Sequence, residues 1–94
     1  MNKAYVLRTN GSVKILPDRP TLKGAQEIVG GWIEMLKGKS GGKVVTLIVD
    51  EEGKQKGKQL NTRATEMFRK KHPGASDLVV GDVLILEGWQ TTKA

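Results

Sequence analysis

Ninety-four residues suffice for one domain around one small core, which excludes a two-domain organisation. The absence of cysteine removes disulfides, thiol nucleophiles and thiolate metal sites, and no apolar run approaches the roughly 20 residues that cross a bilayer. Sixteen Lys and Arg against ten Asp and Glu give a formal charge of +6, which either favours an anionic partner, nucleic acid first, or simply keeps the protein soluble.

In chain order, residues 4–8 read as a strand and 13–16 as its return, joined by Thr9-Asn10-Gly11-Ser12. Asn-Gly between two apolar runs predicts a hairpin with a type I′ turn. Pro17-Asp18-Arg19-Pro20 connects to Thr21, which predicts a helix N-cap. Leu22, Ala25, Ile28 and Val29 follow at helical spacing. That spacing continues through Trp32, Ile33 and Leu36, but two adjacent interior glycines cost about 1 kcal/mol each relative to alanine. A helix over 21–29, a break at Gly30-Gly31 and a strand over 32–37 are therefore expected.

Residues 37–43 form a basic, glycine-rich hairpin connection. Val44-Val45-Thr46-Leu47-Ile48-Val49 predicts a central strand buried on both faces. Asp50-Glu51-Glu52-Gly53 closes it with Gly53 expected in the left-handed region. Residues 54–59 are polar throughout and read as an edge strand or an extended loop. Asn61 caps a second helix with the stripe Ala64, Met67 and Phe68, and Pro73-Gly74 stops it. A last strand spans 83–86. The order is β-β-α-β-β-(β)-α-β, an α+β class with a curved, mainly antiparallel sheet and two short helices at one face or end. Residues 1–94 form one domain with an ordered core over about 3–88 and a tail, 90–94, expected to fray. The amino terminus, MNKAYVLRTNG, lacks a signal-peptide apolar run, so a cytoplasmic protein without membrane association is expected.

Four segments together carry a resemblance: Val29-Gly30-Gly31-Trp32-Ile33-Glu34, Val49-Asp50-Glu51-Glu52-Gly53, Asn61-Thr62-Arg63-Ala64-Thr65 and Val80-Gly81-Asp82-Val83-Leu84-Ile85. In this order, over residues 4–87, the chain resembles a family of small proteins of unknown function from phages, plasmids, other mobile elements and large DNA viruses. The resemblance implies a viral or mobile-element accessory protein. It carries no catalytic residues to transfer.

The first candidate surface is basic. In an extended chain Lys54, Lys56 and Lys58 would project from one face about 7 Å apart, near the spacing of successive phosphates. Arg63, Arg69, Lys70 and Lys71 would extend the patch, and releasing counterions from a phosphate backbone is the physical gain. The alternative is that these lysines guard a strand edge and complement a helix end. Gly31, Trp32 and Trp89 mark a second candidate surface, because rings at strand ends beside glycine either stay exposed to a partner or cover the core. Gly38-Lys39-Ser40-Gly41-Gly42-Lys43 has the wrong order for a phosphate loop. Asp50-Glu51-Glu52 lacks the spacing of a calcium loop, so no metal or cofactor is expected. One histidine, His72, and no paired nucleophile give acid–base or covalent catalysis little material.

A non-enzymatic accessory protein binding nucleic acid or an acidic protein partner is thus the expected function. A domain binding a small anionic ligand such as a nucleotide near Gly31, Trp32 and Arg63 is the alternative. A structural or homodimerising module is the third.

Overall fold

Asn10-Gly11 turns the chain as its sequence predicts, but with one residue more than a type I′ hairpin. In the computed structural model, which describes residues 2–88, β1 (Lys3–Leu7) and β2 (Val13–Leu16) pair antiparallel. Thr9, Asn10 and Gly11 form the loop, closed by Arg8 N–H donating to Ser12 O at 2.9 Å and Gly11 N–H to Arg8 O at 2.9 Å. Only Gly11 has positive φ (86°). Asn10 keeps a negative φ and instead accepts from Ser12 N–H through its side chain at 2.9 Å, so the loop is a type I turn followed by a left-handed glycine.

Helix α1 (Leu22–Val29) starts where the Thr21 side chain accepts from Gly24 N–H. It ends at Gly30, whose φ of 86° lets its N–H reach back to Gln26 O at 2.8 Å. The helical spacing of Trp32, Ile33 and Leu36 is thus broken at the two glycines, and β3 (Ile33–Ser40) begins. β3 runs three residues beyond the expected 37, up to a two-residue turn at Gly41-Gly42 with both φ positive. Its interior Gly38 is needed because α2 lies directly over it: a Cβ there would stand 3.0 Å from Met67 O.

β4 (Lys43–Asp50) and β5 (Val83–Glu87) complete a five-stranded, wholly antiparallel sheet in the order β2-β1-β5-β4-β3. Alternate residues of β4 and β5 point to opposite faces, and both sets are buried. Val45, Leu47, Val49, Val83 and Ile85 pack with Ala64 and Met67 of α2 (Thr62–Lys71). Ile48, Leu84 and Leu86 pack with Ala25 and Val29 of α1. The two helices therefore cover opposite faces, not one face or end, because a sheet whose middle strands are apolar on both sides needs cover on both.

Residues 51–57 are turns, not an edge strand. Gly53 is buried and outside the left-handed region, which Gly57 occupies instead with φ 70°. Among the described residues no helix is long and apolar enough to cross a membrane. Trp89 and the tail 90–94 lie outside the described residues.

Candidate functional site

Asp50 ends β4 on the same face as Ile48, and its side chain is 1% exposed. A lone buried carboxylate would be costly, and the turns that follow supply its partners. The chain coils back through hydrogen bonds from Gly53 N–H to Asp50 O and from Lys58 N–H to Gly53 O, both 3.0 Å. This brings the Lys56 and Lys58 ammonium groups each to 2.8 Å from Asp50 Oδ2, while Glu52 N–H donates to Oδ1 at 2.9 Å. Burial pushes the Asp50 pKa up, but the hydrogen bonds from Lys56, Lys58 and Glu52 N–H outweigh it and hold the carboxyl well below the usual carboxylate range.

The same two lysines cap α1. Lys56 donates to Gly30 O at 3.0 Å and Lys58 donates to Val29 O, so both place positive charge on the carbonyl end of a helix whose last turn has no basic residue. Gly31 sits where this clasp closes: a Cβ there would stand 2.6 Å from Lys56 Nζ and 2.8 Å from Asp50 Oδ1. Lys54 lies apart, 3.8 Å from Asp77, with both groups exposed. The three lysines thus do not project as an evenly spaced row. Two are turned inward onto one carboxylate.

The other basic candidates divide into two places. Arg69, Lys70 and Lys71 are exposed in the last turn of α2, and none is ion-paired among the described residues. Arg69 Nη2 donates to Ser76 O at 3.1 Å, which ties the loop after the helix to its end. The Phe68 and His72 rings lie 4.6 Å apart between centroids, tilted by 38°, and the His72 backbone N–H closes the helix end on Phe68 O. Arg63, near the start of α2, lies over a cleft of about 460 Å³ lined also by Tyr5, Val13, Ile15 and Met67.

In that cleft Tyr5 Oη donates to Glu87 Oε2 at 2.9 Å. Burial, then this hydrogen bond and the Glu87 charge, push the Tyr5 phenol up to about 12. Tyr5 is the only tyrosine, so tyrosinate absorbance near 295 nm should be absent at pH 10, where half a free tyrosine is ionised. Glu87→Gln should bring it in earlier. The folded protein holds the proton that the unfolded chain releases, so this contribution to stability is full below pH 10 and lost as pH rises towards 12.

Trp32 is 68% exposed and borders a second, shallow cavity with Gln26, Glu52 and Lys56, on the α1 side. Arg63 is on the α2 side, so Trp32 and Arg63 line two different clefts. Among the described residues no group of three His, Cys, Asp or Glu could hold a metal.

The four segments that carry the resemblance meet in the scaffold. Asn61 is buried, donates through Nδ2 to Leu7 O and Gly81 O at 2.9 Å each, and accepts from Ala64 N–H at 3.1 Å. Thr65 Oγ1 donates to Val79 O and accepts from Val79 N–H, and Asp82 accepts from Thr9 N–H. The inward turn of Lys56 and Lys58 is what the sequence leaves hidden. Its only local sign is an acidic residue directly after the apolar run Leu47-Ile48-Val49.

Residues 2–93 match the family DUF3846, described as a domain of unknown function. No curated protein and no solved structure matches the chain.

Proposed function

The chain belongs to the DUF3846 family, and we propose that it is a non-catalytic binding domain that engages nucleic acid through the basic end of α2. The observation that carries this is the division of its charge. Lys56 and Lys58 are committed to Asp50, whereas Arg69, Lys70 and Lys71 stand together, exposed and free of carboxylate partners among the described residues. Met67 and Phe68 anchor this last turn of α2 against the sheet, so the three cations are carried on a rigid element. Phosphates neutralised there release their counterions, which makes the binding independent of sequence and steeply dependent on salt. An accessory role in a phage or other mobile element, in the cytoplasm of the bacterial or infected cell, is the setting the resemblance implies.

Fluorescence anisotropy with labelled single- and double-stranded oligonucleotides across a salt series tests this. Binding at low salt should weaken linearly in log–log form, with a slope of about −0.7 to −0.9 per phosphate contacted. Arg69→Glu/Lys70→Glu/Lys71→Glu should abolish it in a protein that urea unfolding shows still folded but about 1–3 kcal/mol less stable, because the three cations complement the carbonyl end of α2 and Arg69 holds Ser76 O. No binding at low salt, or binding that survives the triple change, contradicts it.

A further inference from the structure

The edge of the sheet at β2 is open, apolar and positively flanked. Arg8 and Ser12 form a hydrogen-bonded pair, and antiparallel pairs alternate. Counting along the register, Val6↔Lys14 and Ala4↔Leu16 bond to β1, whereas Leu7↔Val13 and Tyr5↔Ile15 do not. The backbone N–H and C=O groups of Val13 and Ile15 therefore point away from β1, towards the outside of the sheet, where no other described strand lies. Their side chains stand on the α2 face, 43% and 79% exposed, beside the cleft floored by Tyr5 and walled by Met67. α2 packs over β3 and β4 and leaves this quarter of the sheet uncovered.

We propose that β2 is a docking edge for an extended acidic segment of another protein, which adds a sixth strand. Residues directly opposite each other in an antiparallel pair share a face. Apolar side chains of the incoming segment would thus meet Val13 and Ile15 in the cleft while their amides bond to the open edge. The intervening residues would meet Lys14 on the other face. Arg63, within 3.4 Å of Gly11 O, stands at one end of the cleft. Lys3, one residue before the Ala4↔Leu16 pair, stands at the other. The one carboxylate lining the cleft, Glu87, is engaged by Tyr5. The field at the edge is positive, and alternating apolar and acidic residues complement it.

A second copy of this chain fits less well. Pairing two β2 edges so that Val13 bonds to Ile15 of the other copy sets Lys14 directly opposite Lys14, a like-charge contact, between two molecules of +6 each. Nucleic acid has no peptide N–H and C=O groups to pair with the open edge at Val13 and Ile15. This surface is separate from the end of α2, so the two proposals stand or fall independently.

The probe is a fluorescein-labelled hexapeptide alternating valine and glutamate, with two versions N-methylated on every valine or on every glutamate. The parent peptide should bind. Methylated valines, whose amides face β2, should weaken it about tenfold or more, and methylated glutamates should leave it unchanged. Ile15→Ser, at an exposed position that does not hold the fold, should cost about tenfold in peptide affinity and nothing in oligonucleotide affinity. No binding, or equal loss from both methylation patterns, would overturn the proposal. So would a concentration-dependent dimer that Ile15→Ser dissolves and the peptide fails to disrupt.

Discussion

Asn61→Ala is expected to cost about 4 kcal/mol of folding stability, a large share of the 5–15 kcal/mol typical of a whole domain. Asn61 does three jobs with one buried amide. Its Oδ1 caps α2 at Ala64 N–H, worth about 1 kcal/mol. Its Nδ2 satisfies Leu7 O and Gly81 O, two carbonyls at the end of β1 and before β5. Alanine leaves Gly81 O without that donor in the interior, at about 1–3 kcal/mol, and takes from Leu7 O, which still faces Val83 in the β1–β5 register, a second bond worth about 1 kcal/mol. Thermal unfolding should drop by roughly 15–30 °C at 4–8 °C per kcal/mol for a domain of this size. Asn61→Ser, which keeps a cap acceptor but reaches neither carbonyl, should recover about 1 kcal/mol of this. Full recovery by serine would show that the cap alone matters.

Asp50→Ala is the second large effect, at about 3 kcal/mol. Removing one partner of a buried ion pair leaves the others uncompensated, and here it also frees two lysines from the end of α1. Lys56 and Lys58 are 39% and 26% exposed, so they can turn towards water, which keeps the loss at the lower end for such a change. Acid should act in the same way. The folded carboxyl titrates below its unfolded value of about 3.9, so its contribution is complete above that pH and is lost as pH falls further. Urea unfolding at pH 7 and pH 3 should show a loss in the parent that Asp50→Asn, already weakened at pH 7, does not add to through this group. An equal acid loss in both proteins would place the sensitivity elsewhere.

Local chemistry made much of this legible in the sequence. Thr21 and Asn61 cap helices, Gly30-Gly31 breaks the helical spacing, and six apolar or β-branched residues before Asp50 make a strand buried on both faces. These features depend on neighbours a few residues away. What stayed hidden depends on which elements meet. An alternating Lys54, Lys56, Lys58 pattern suits an extended chain equally well, and only the juxtaposition of the β4 end with the α1 end provides a carboxylate and two carbonyls to pull it inward. The placement of the helices was hidden for the same reason. Ile15 and Val13 have the alternation of a half-buried strand, yet α2 lies over β3 and β4 and leaves them open. Gly53 and Gly57 both suit a left-handed turn and each donates to the carbonyl three residues back, yet only Gly57, with φ 70°, takes that conformation.

The division of charge is best tested by titrating ¹⁵N-labelled protein with a short oligonucleotide at low salt and following every backbone amide. Shifts should concentrate at Arg69, Lys70, Lys71 and the Ser76 loop tied to them. Lys56 and Lys58, held by Asp50, and the β2 edge should stay still. Shifts centred on residues 54–58, or none anywhere, would contradict the assignment of α2 as the nucleic-acid surface.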